Sequence, residues 1–69
     1  MPLSRAKSGE SALIKKVGGK EETKRFLANL GFIPGASITV VSEISGNIIV
    51  LIKDSRIAVS KEMAAKIII

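Results

Sequence analysis

The chain contains no cysteine, histidine, tyrosine or tryptophan. Those absences exclude His-assisted nucleophiles and thiol chemistry. They also exclude disulfides and the usual nitrogen and sulfur ligands of zinc. A cysteine-free chain suits a reducing compartment. The only aromatic residues are Phe26 and Phe32, so the core has to be aliphatic, and 46% apolar residues are enough to build one. Long hydrophobic runs are missing too. The longest wholly apolar stretch is Ile48-Ile49-Val50-Leu51-Ile52, whereas a membrane-spanning helix needs about 20 such residues. Residues 1–10, MPLSRAKSGE, lack the apolar centre of a signal peptide. A soluble, cytoplasmic protein is expected, without membrane insertion. No internal repeat, linker or low-complexity stretch is present, and 69 residues imply a single domain, 1–69. A domain this size buries only about 60% of the surface its unfolded chain exposes.

What the chain does have is positive charge, +5 from 11 Lys+Arg against 6 Asp+Glu. Such an excess favours nucleic acid, anionic lipid or an acidic protein face. No block of five like charges occurs, so a disordered basic arm is not expected. Small barrels that bind single-stranded nucleic acid pair their charge with stacking aromatics. Here both phenylalanines are accounted for by the helix and its seal, and the basic residues are scattered from Arg5 to Lys66. A solvated basic surface is the plainer reading, and a nucleic-acid-binding small barrel is the alternative.

Along the chain, Leu3 can anchor the start before a loop at Ser8-Gly9. Residues 11–17, SALIKKV, read as a first strand, with the alternation interrupted at Lys15-Lys16 and ended by Gly18-Gly19. Residues 21–30, EETKRFLANL, read as a helix. Glu21 and Glu22 favour its positive end, and Phe26, Leu27 and Leu30 share a face. Gly31 is a left-handed stop that lets Phe32 fold back onto Leu27. Pro34-Gly35 specifies a type II turn. Gly31, Pro34 and Gly35 thus form a rigid corner ahead of a strand at residues 37–43. A hairpin turn at Gly46-Asn47 leads to residues 48–53, IIVLIK. This segment is apolar on both faces, so a central or doubly covered strand is expected. A second turn at Asp54-Ser55 precedes a strand at 56–59. Ser60 caps one helical turn over 61–65, and Ile67-Ile68-Ile69 forms the last strand. The expected fold is mostly β: a small, partly open five-stranded barrel with one α-helix after the first strand and a helical turn before the last.

Nothing in this order builds an active site, so no enzyme is expected. The carboxylates Glu10, Glu21, Glu22, Glu43, Asp54 and Glu62 fall in loops, helix starts, strand ends and turns, where they have structural roles. Gly18-Gly19-Lys20 precedes a helix, but the P-loop spacing and its Ser or Thr are missing. Glu21 and Glu22 would repel an anion there. No cofactor is called for.

A longer pattern runs through Leu3-Ser4, Gly9, Arg25, Leu27 and Leu30-Gly31-Phe32-Ile33-Pro34-Gly35. It continues through Ile38-Thr39-Val40, Gly46, Ile48, Arg56-Ile57-Ala58, Glu62, Ala64-Ala65 and Ile67. In this pattern the chain resembles the FeoA family, the ferrous iron transport protein A domains. It departs at Ser60, where an arginine is common in that family. The resemblance implies an SH3-like β-barrel that serves a large membrane ferrous iron transporter carrying a GTP-binding domain. Related domains are fused to iron-dependent transcriptional repressors, which supplies a regulatory alternative. Without imidazole or thiolate the chain is poorly equipped to hold Fe²⁺, so contact between proteins is the expected mode of action. The face carrying Lys24 and Arg25, beside the Phe32–Pro34 corner and with Arg56 on the rim, is the candidate partner-binding surface. The oligomeric state is left open.

Overall fold

The computed structural model describes all of residues 1–69. A single 3₁₀ turn at Leu3–Arg5 is followed by β1 (Ser11–Leu13), β2 (Lys16–Val17) and α1 (Glu21–Asn29). Then come β3 (Ser37–Ile44), β4 (Asn47–Ile52), β5 (Ser55–Ser60), α2 (Lys61–Ala64) and β6 (Ile67–Ile68). The mostly β order is the expected one. The strands are divided between two antiparallel sheets that do not close into a continuous barrel: a four-stranded sheet in the order β1-β3-β4-β5, and a β2-β6 pair.

The expected first strand is therefore two strands. Ile14 exchanges hydrogen bonds with the corner: its N–H donates to the Ala36 carbonyl at 2.9 Å, and its carbonyl accepts from the Gly35 N–H at 2.8 Å. The Lys15 N–H then donates to the Ile68 carbonyl at 2.7 Å. The ladder changes partner between these two residues, and the chain passes from one sheet to the other. The adjacent lysines that interrupt the alternation mark that crossing, and both are exposed.

The corner is built as its residues dictate. Leu30 ends α1, and Gly31 follows with φ +105°. The Gly31 N–H donates to the Ala28 carbonyl and the Phe32 N–H to the Leu27 carbonyl, each at 2.9 Å. This is the paired bonding of a Schellman stop. A Cβ at position 31 would lie 3.4 Å from Ile52 Cδ1, an ordinary contact, so it is the positive φ that calls for glycine. Two residues on, the Ala36 N–H donates to the Ile33 carbonyl at 3.0 Å with Gly35 at φ +90°, closing the type II turn.

Ile38 and Val40 of β3, Ile48, Val50 and Ile52 of β4, and Val59 of β5 point inward. They meet Leu3, Ile14, Leu27, Phe32, Ala64 and Ile67 in one aliphatic core. Of the two expectations for β4, the central position is the one met: it pairs with β3 on one side and β5 on the other, while its outer face is not covered. Ile49 is half-buried and Leu51 is 38% exposed, because α1 lies on the core side and nothing covers the outer face of the sheet. Both hairpin turns sit one residue earlier than expected. The first is Ser45-Gly46, with φ of 48° and 82°; the second is Lys53-Asp54, with φ of 48° and 63°. The controlling factor is register: a slip of one residue would turn Ile48, Val50 and Ile52 out to solvent. Ser60 accepts the Met63 N–H at 3.2 Å and caps α2 as expected.

Candidate functional site

Three stretches enclose an open groove of about 340 Å³. Lys15, Lys16 and Val17 come from the crossing between sheets, Lys24 and Ala28 from α1, and Phe32, Ile33 and Pro34 from the corner. The local folding rules explain why these meet. Lys24 and Ala28 are one helical turn apart and so share a face. The Schellman stop and the type II turn send the chain back toward Ile14, whose hydrogen bonds to the turn place Lys15 and Lys16 beside it.

The floor is apolar and the rim is cationic. Ile33 is 42% exposed, an uncovered aliphatic side chain. Phe32, by contrast, is 1% exposed, so it supports the floor from below. None of the three lysines has a carboxylate partner: the one ion pair of the chain joins Lys61 to Glu43 at 3.1 Å. No carboxylate lines the groove. The molecule contains no group of three or more His, Cys, Asp or Glu side chains placed to hold a metal ion.

Of the residues singled out from sequence, Lys24, Phe32 and Pro34 are brought together here. Phe32 cannot offer a ring face to a partner, because it fills the core. Arg25 is exposed on α1 but outside the groove, and Arg56 lies on β5 opposite Leu51 in the four-stranded sheet. Gly31, Pro34 and Gly35 act as the structural corner. Sequence reasoning missed Lys15, Lys16, Val17, Ala28 and Ile33. The one available signal was the Lys15-Lys16 doublet, two charges where an alternating strand should have had one.

The FeoA domain model matches residues 1–69. This chain belongs to the FeoA family. The FeoA domain here is 31% identical over 68 residues to the Methanocaldococcus jannaschii protein named "Putative Fe(2+) transport protein A", covering 99% of this chain and 83% of that one. It also matches the crystal structure of an iron uptake regulatory protein (FeoA), with a TM-score of 0.91 and 26% identity over 97% of this chain and 91% of that chain. The solution structure of iron(II) transport protein A from Clostridium thermocellum gives a TM-score of 0.91 at 32% identity, over 97% of this chain and 43% of that longer one. A Stenotrophomonas maltophilia FeoA complexed with zinc, described as a procaryotic SH3 domain protein, superposes at a TM-score of 0.85 and 23% identity, over 99% and 87% of the two chains. The fold of this FeoA domain is accordingly SH3-like.

Proposed function

We propose that this FeoA domain is a small accessory protein of ferrous iron uptake. It acts by touching a membrane ferrous iron transporter that carries a GTP-binding domain, at the cytoplasmic face of the membrane. Family membership across residues 1–69 carries this reading, and the relatives named for Fe(2+) transport support it. The chemistry of the chain is compatible with it. No helix is long and apolar enough to cross a membrane, and the groove between Lys15, Lys24 and Pro34 is lined by lysines and apolar residues without a carboxylate. Lys24 and Pro34 are proposed as contacts, with Arg25 beside them on α1. The test is capture of the transporter from solubilised membranes by the immobilised, purified chain. Retention of the transporter above a blank matrix is expected. Failure to retain it, together with salt-dependent binding of generic RNA or DNA, would replace this reading with the nucleic-acid one.

A further inference from the structure

From the geometry of the groove we infer the chemical class of what fills it: a short acidic segment of a partner protein that inserts one or two aliphatic side chains between Lys15, Lys16 and Lys24. Size comes first. A concavity of about 340 Å³ is at the small end of ligand sites. It admits side chains from an extended or turn segment, and no folded domain can enter it. The floor comes second. Val17, Ala28, Ile33 and Pro34 offer aliphatic surface, which is filled best by Leu, Ile, Val or Met. Ile33 is left 42% exposed at the tip of a corner held by two stiff turns, so the surface is formed before any partner arrives. Preorganisation of this kind lowers the entropic cost of binding.

Charge comes third and selects the partner. Three lysines, Lys15, Lys16 and Lys24, are among the lining residues, with no carboxylate among them and no ion pair to occupy them. Carboxylates flanking the inserted side chain would match them, which raises the association rate and fixes the register. Single-stranded nucleic acid fits less well. Its bases need an exposed aromatic face, but Phe32 is buried and Phe26 lies outside the groove. An anionic membrane is a poorer match, because most of the apolar floor, Val17, Ala28 and Pro34, lies within the groove and only Ile33 stands at its tip.

This inference deepens the proposed transporter contact and depends on it only for the name of the partner. The test uses the whole chain, labelled with ¹⁵N, and a synthetic peptide carrying Leu-Leu between Asp-Glu and Glu-Asp. Saturable amide shifts are expected at Val17, Ala28 and Ile33. Replacing Lys15→Glu and Lys24→Glu together should weaken binding by about tenfold or more. Replacing the peptide's Leu-Leu by Ser-Ser should weaken it comparably with the protein unaltered, which guards against a misfolded variant. The inference is overturned if the Ser-Ser peptide binds as well as the Leu-Leu one, or if the shifts map elsewhere. It is also overturned if vesicles containing phosphatidylserine, an oligonucleotide or a second copy of the chain occupies these residues more tightly than the peptide. The two readings fail separately. Transporter capture that survives the double charge reversal, with no peptide binding, sinks the groove and leaves the contact. Peptide binding in the groove without transporter capture does the reverse.

Discussion

Leu27 is fully buried while its neighbour Phe26 is 52% exposed. The helical repeat puts them about 100° apart, and α1 is too narrow in its packed stripe to hide both. Leu27 and Phe32 both lie in the core cluster, while Phe26 stays on the solvent side. Leu27→Ala should cost about 2–5 kcal/mol, equivalent to a fall in Tm of more than about 10 °C in a domain of this size. Phe26→Ala should cost about 1 kcal/mol or less. Thermal melts of the two variants decide the matter, and equal losses would mean that α1 is rotated from the orientation described. Ser60 is a second residue whose identity has a local cause. Its hydroxyl accepts the Met63 N–H, a bond an arginine at that position would not supply. The exposed pair of Lys61 and Glu43 contributes little, as surface ion pairs do.

At the scale of elements, turns do more than connect. The Schellman stop, the type II turn and the bonds to Ile14 form one continuous brace from the end of α1 to the crossing between sheets. Both hairpins use two-residue loops with positive φ at each position, the arrangement that matches the twist of paired strands. The second does so with Lys53 and Asp54, neither of which is glycine. A side chain in the left-handed region is strained by about 1 kcal/mol. Asp54→Gly removes that strain at one position, and the greater freedom of glycine in the unfolded chain offsets part of the gain. A net stabilisation of about 0.5 kcal/mol, and so a Tm higher by a few degrees, is expected. Calorimetric melting checks it. A lower Tm would show that the Asp54 side chain supports the turn in a way its geometry does not reveal.

For the molecule as a whole, charge and donor chemistry point away from holding iron. The six carboxylates are dispersed along a chain of net charge +5, and no three lie together. Without imidazole or thiolate, what remains is surface carboxylate with weak affinity for Fe²⁺. Anaerobic titration calorimetry with Fe²⁺ near neutral pH should therefore show no one-to-one site of micromolar affinity or better. Finding one would overturn this expectation. The same charge has a constructive use at the groove, where Lys15, Lys16 and Lys24 gather without counter-charges.

The sequence by itself determined the elements whose causes are local. The stop at Gly31 and the Pro34-Gly35 turn follow from backbone sterics within a few residues. The Ser60 cap follows from one hydroxyl and one N–H, and the aliphatic core from having almost nothing else to build it with. The FeoA pattern, spread across nearly the whole chain, combines these turn positions at Gly31 and Pro34-Gly35 with core positions such as Leu3, Leu27, Ile38, Val40, Ile48 and Ile67. The tertiary structure decided whatever depends on partners distant in sequence. The break in the first strand at Ile14-Lys15 exists because Ala36 and Ile68 compete for adjacent backbone groups. The turn registers were set by which isoleucines of β4 face the core, and the open outer face of Leu51 by the side on which α1 packs. The groove belongs to this second class. Its lysines and its floor come from three separate stretches, and only the packing that buries Leu27, Phe32 and Ile14 brings those stretches side by side.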